Sequence, residues 1–150
     1  MAARVDGLLD AVVASLAGAD LSVEVTPTAE YRPTADMESL ATTAVWVSPA
    51  SRVSEMATRS QDDDTWAVYV AVAAKLPTHY VRSDMQALLE LGDEIWSHLR
   101  RRDMAVAGAR YAWRESATVP GADAGYSPEY VERLRCFLAV YRITYLAREG

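Results

Sequence analysis

The sequence predicts a single α+β domain, a mostly antiparallel mixed sheet with two helices packed on it, in the order αβββαββ. Three observations carry this expectation. Apolar residues recur at helical spacing near the start of the chain and again over Ser83 to Arg102. Several intervening segments alternate apolar and polar residues with period two. Near the C-terminus, Arg133 to Arg148 (RLRCFLAVYRITYLAR) reads as one long strand. With 150 residues, 51% of them hydrophobic, the chain suits one core and is not expected to be disordered.

The first helix is expected from Val5 to Ala17. Val5, Leu8, Leu9, Val12, Val13 and Leu16 form its apolar stripe, and Gly18 is its stop. Leu21, Val23, Val25, Ala29 and Tyr31 then alternate against Ser22, Glu24, Thr26, Thr28, Glu30 and Arg32. Pro27 cannot donate to a ladder, so this strand belongs at an edge or carries a bulge. Arg32 to Leu40 reads as a connection.

Thr42 to Ser48 and Asp64 to Lys75 are the next two strands. In the second, Trp66, Val68, Val70 and Val72 share one face, while Ala67, Tyr69, Ala71 and Ala73 share the other. The small residues on that second face permit close approach. Between the two strands, 49–63 (PASRVSEMATRSQDD) reads as a polar loop of functional or mobile character.

The second helix spans Ser83 to about Arg102. Ser83 and Gln86 have capping-box spacing, and Asp84 suits the positive end of the dipole. Met85, Leu88, Leu89, Ile95, Trp96 and Leu99 make its buried stripe, with Gly92 on the same side allowing close packing. Arg100, Arg101 and Arg102 complement its C-terminal end. Ala109 to Val119 is a one-sided strand, 120–125 a turn-rich insertion, and Ser127-Pro128-Glu129 a short helical turn before the last strand. Within that strand Cys136 to Tyr141 is apolar on both faces, which marks a strand covered on both sides. From Arg142 onward Ile143 and Tyr145 alternate against Arg142, Thr144 and Arg148, suggesting a sheet that reaches beyond its own core.

Net charge is −6, and Lys75 is the only lysine among 15 basic residues. This balance argues against a protein whose main task is to grip nucleic acid, although it allows DNA to pass nearby. Cys136 is the only cysteine, so no intrachain disulfide forms, and its apolar setting makes it a small buried hydrophobe. Asp6 and Asp10 interrupt the apolar N-terminal segment, which favours a structural helix over a signal sequence. No segment has the ~18–20 uninterrupted apolar residues of a membrane span. The expectation is a soluble protein made in the cytoplasm.

No local grouping of His, Cys, Asp or Glu has catalytic or metal-ligand spacing. Asp62, Asp63 and Asp64 are consecutive, so they cannot all converge on one cation. They read as a solvated segment or as an acidic contact for an arginine of a neighbouring subunit. His79 and His98 have no companion at useful spacing, and the seven glycines form no phosphate loop. Trp66, Trp96 and Trp113 fall on apolar faces, where core packing explains them; Trp46 is less determined. The residues therefore predict no catalytic, cofactor-binding or metal site, and no enzyme. Candidate interface residues are Arg52, Glu55, Arg59, Asp62 and Asp63 of the 49–63 segment, with Arg142 and Arg148 of the final strand.

With these elements in place, the chain resembles the tail terminator proteins of phages and prophages, also called tail completion or minor tail proteins of the lambda-like long-tailed phages. The likeness covers nearly the whole chain. It lies in the opening LLDAVVASL helix, the AEYRP strand end at Ala29 to Pro33, and the strands around VWVSP and DTWAVYVAVAAK. It continues through the helix DMQALLELGDEIWSHLR and the terminal YSPEYVERLRCFLAVYRITY. The resemblance implies a structural virion protein that caps the tail tube as a ring, typically a hexamer. Its partners would be copies of itself, the tail tube protein, the head–tail connector and genomic DNA crossing the lumen without tight binding. It would act at the tail–neck junction of the virion, after assembly in the host cytoplasm. Two other readings stay open: another neck or tail component, such as a head–tail joining protein or a tube subunit with a longer hairpin arm, and a small α+β ligand-binding or enzyme domain.

Overall fold

The structure, a computed structural model, describes residues 4–23, 25–29, 43–56, 62–100, 102–104, 109–112, 117–118, 131–132 and 135–149. Over 4–5, 51–56, 62–64, 117–118 and 147–149 it describes the backbone alone. The elements are α1 (Arg4–Ala17), β1 (Pro27–Ala29), β2 (Ala44–Met56), β3 (Asp62–Lys75), α2 (Arg82–Leu99), β4 (Ala109–Tyr111), β5 (Ala117–Thr118) and β6 (Cys136–Glu149). The strands form one sheet in the order β1-β2-β3-β6-β4, and β5 also pairs with β6. β1 runs parallel to β2, and every other pairing is antiparallel. This is the α+β class that the periodicities predict.

The main core lies between the helices and one sheet face. α1 packs on β1 and β2, α2 packs on β6, and the helices touch each other. Leu8, Leu9, Val12 and Leu16 of α1 and Leu91, Ile95 and Leu99 of α2 are all buried against this face. Each such side chain contributes about 1.5–3 kcal/mol on removal from water. Val45 and Val47 of β2, the Val68, Val70 and Val72 series of β3, and Phe137, Ala139, Tyr141, Ile143 and Tyr145 of β6 meet them. The register sets these in rows, such as Val47–Val70–Tyr141. On the opposite face a smaller cluster joins Trp46, Ala71 and Ala73 to Ala44, Leu138 and Val140. Both faces of the predicted alternation on β3 are therefore found. Of Cys136 to Tyr141, expected to be covered on both sides, the helix-facing Phe137, Ala139 and Tyr141 are buried, whereas Leu138 and Val140 on the opposite face are only half-buried.

The largest correction concerns the loop expected over 49–63: its described residues, 49–56 and 62–63, are strand, and 57–61 lie outside the described residues. β2 continues through Pro49 to Met56 and β3 starts at Asp62, so the segment is the end of a hairpin whose register runs out to Met56↔Asp62. A register shift between Pro49 and Ser51 makes Ala50 the extra residue of a bulge. The bulge accommodates a proline that local reading takes as the end of a strand. Nor does β6 reach past its sheet alone. It pairs with β3 along its full length, from Lys75↔Cys136 to Asp62↔Glu149, and β4 and β5 lie on its other side. Thr144, placed in the polar row of that extension, is 1% exposed and so buried within the fold.

Smaller differences have local causes. Among the described residues of the strand expected over Leu21 to Tyr31, Pro27–Ala29 form strand, with Leu21, Val23 and Val25 packing on the core from outside the ladder. The segment expected as one strand from Ala109 to Val119 is described as two short pieces, β4 and β5. α2 is capped two residues earlier than the Ser83–Gln86 pattern suggests. Its N-cap is Val81, whose N–H donates to the Asp84 carboxylate at 2.9 Å. Valine has no acceptor side chain, so only this reciprocal half of a capping box exists. At the other end α2 stops at Leu99, short of Arg102. The expected helical turn at Ser127-Pro128-Glu129 and the side chain of Trp113 lie outside the described residues.

Candidate functional site

Five of the predicted interface residues come together at one end of the sheet, and the hairpin register is the reason. Glu55 of β2 lies opposite Asp63 of β3, which lies opposite Arg148 of β6, giving one row across three strands. The next rung outward is Met56–Asp62–Glu149, and Arg52 pairs with Trp66 three positions inward. Residues far apart in sequence thus share one end of a three-stranded blade. Arg142 does not join them. It sits between Tyr69 of β3 and Ala117 of β5, six residues along β6 from Arg148 and so about 20 Å away. Arg59 lies outside the described residues.

The three long strands have 13, 14 and 14 residues, and β3 and β6 each extend about 45 Å. The 18 residues of α2 cover only about 27 Å. The sheet is therefore longer than the helix that packs on it, and the acidic row occupies its far end. On the helix-facing side the last described aromatic row is Trp66–Tyr145–Tyr111. Tyr111 meets Tyr145 edge-on, with ring centroids 6.5 Å apart. The Tyr145 hydroxyl is buried with no hydrogen-bond partner among the described residues, and burial, followed by the neighbouring Tyr111, pushes its pKa well above the ordinary tyrosine value.

His98 has a partner that no sequence spacing reveals. The Ser15 hydroxyl of α1 and the His98 Nε2 of α2 are 2.9 Å apart, across 83 residues of chain. Burial, and then the charge of Arg102, hold the imidazole below its ordinary pKa of 6.5 and so favour the neutral ring. A hydroxyl–imidazole pair can begin a nucleophilic site, but such a site also needs an orienting acid and oxyanion donors. Ser15 sits within the last turns of α1, where backbone N–H groups are committed to the helix, and the described contacts supply neither requirement. The pair acts as a clamp between helices. A second clamp lies beside it, where both the backbone N–H and the hydroxyl of Ser22 donate to the Glu94 carboxylate, at 2.8 and 2.9 Å. His79 is exposed on the connection between β3 and α2.

Arg102 performs the helix-end role expected of the arginine cluster: its Nε donates to the His98 carbonyl at 2.8 Å. Arg100 is the C-cap residue, and Arg101 lies outside the described residues. Cys136 is fully buried. Beside β1 and β2, Thr26, Thr28, Thr43 and Trp46 line an open cleft of about 370 Å³. Its hydroxyls offer hydrogen bonds, and none of the described residues that line it is charged. Among the described residues no three His, Cys, Asp or Glu side chains are grouped to hold a metal ion. No described helix is long and apolar enough to cross a membrane.

No protein-family model matches the chain, and no curated protein matches it.

Proposed function

We propose that the chain is a structural component of a long-tailed phage or prophage, a tail terminator that closes the tail tube as a ring, typically of six copies. The reading rests on its resemblance to that family. The observation that supports it is the order of elements: an opening helix, paired strands at VWVSP and DTWAVYVAVAAK, a long second helix and a 14-residue final strand occupy the segments that carry the likeness. In this reading copies contact one another head to tail, because only a heterologous contact with a closing rotation generates a ring. Tube protein and head–tail connector bind its two sides, and DNA crosses the lumen.

The acidic end of the blade, with Glu55, Asp62, Asp63 and Arg148 in adjoining rungs, is the surface we assign to contacts with a neighbouring copy or tail partner. Native mass at several concentrations, with negative-stain images of concentrated protein and of virions, tests the proposal. A six-fold ring is expected. Two-fold dimers as the largest species in both preparations would overturn it.

One observation favours a second reading, that of a tube subunit. The β2–β3 hairpin is longer than the sequence suggests, and hairpin arms suit the stacking of successive rings. Its pairing with β6 through Asp62↔Glu149 makes it part of the sheet and not a free arm, which is why the terminator reading is preferred. Long tubes forming from the purified protein would reverse that preference.

A further inference from the structure

We draw no further inference here: the strongest candidate, the exposed apolar pair Tyr80 and Val81 on the connection between β3 and α2, is a surface for which nothing in the structure shows what covers it.

Discussion

The hydroxyl of Tyr141 on β6 fills the space beside Gly92 on α2 that a Cβ at that position would occupy. Gly92 is buried mid-helix, where glycine ordinarily costs about 1 kcal/mol relative to alanine. The tyrosine explains its presence: with no Cβ at Gly92, the phenol reaches the helix backbone while Trp96 stacks on its ring at a centroid distance of 5.7 Å.

Gly92→Ala is therefore expected to destabilise the protein despite improving helix propensity. Overpacking costs about 1–3 kcal/mol and outweighs a gain of about 1 kcal/mol. The atoms next nearest to that Cβ are ring carbons at 3.4 and 3.6 Å, an ordinary contact. Adding Tyr141→Phe should thus remove the collision and restore most of the loss. Urea melts of the two single variants and the double variant test this. A Gly92→Ala protein at least as stable as the parent would show that β6 and α2 are not held this closely.

Arg135 has φ of 51°, in the left-handed region that favours glycine. Its N–H donates to the Val131 carbonyl and its own carbonyl accepts from Leu76, so the conformation is fixed where the chain enters β6. Arg135→Gly is expected to raise stability by up to about 1 kcal/mol, because relief of a strain of ~1–2 kcal/mol is partly offset by the greater freedom of unfolded glycine. Arg135→Val, β-branched at the same position, should lower it. Equal melting midpoints for the two variants would remove the case for strain.

Much of this packing is legible in the sequence, and the illegible parts share a cause. Helical spacing identifies Leu8, Val12, Leu16, Ile95 and Leu99, and period two identifies both faces of β3, because burial imposes those intervals locally. The same reasoning marks Gly92 as a close-packing position, but it does not name Tyr141. Residues 51–56 have no apolar period, and Pro49 precedes them, so local pattern reads a loop. Pairing with β3 and the bulge at Ala50 carry the strand through. The clamp of Ser15 on His98 has no local signal at all, since it exists only once α1 lies against α2. The row of Glu55, Asp63 and Arg148 is similarly a product of register.

That register changes what a hairpin deletion should do. Removing 53–60 takes away Val53 to Met56, the partners of Thr65 to Asp62, and is expected to lower stability. Replacing only 57–61 by Asn-Gly should preserve the Met56↔Asp62 register through a two-residue turn and leave stability within about 1 kcal/mol. The two variants should be compared by denaturation and by ring formation. An unchanged midpoint for the longer deletion would mean that the blade end contributes nothing to the fold.

His98 gives stability a pH dependence of defined sign. Its folded pKa lies below the unfolded value of 6.5, so the unfolded chain takes up the proton first as pH falls. The contribution of the neutral ring is complete above 6.5 and is lost as pH falls from there through the folded value. His98→Gln should therefore lose less stability than the parent between pH 7.5 and about 5. Identical losses would show that the ring titrates normally in the folded protein.

A conduit for a sliding genome should not hold phosphates tightly, because each arginine–phosphate contact releases counterions and adds affinity. With a net charge of −6, this protein is expected to bind duplex DNA weakly or not at all at physiological salt. Two of its arginines are already engaged within the fold. Arg102 is bonded to the His98 carbonyl, and Arg142 is half-buried between β3 and β5 positions. Weak contacts that do occur should come from the Arg100 to Arg102 cluster, or from Arg142 and Arg148. Fluorescence anisotropy with a random duplex, titrated with salt, measures this directly. Submicromolar affinity at about 0.15 M salt, with a steep salt slope abolished by replacing Arg100, Arg101 and Arg102 with alanine, would overturn the passive conduit and favour a DNA-gripping neck component.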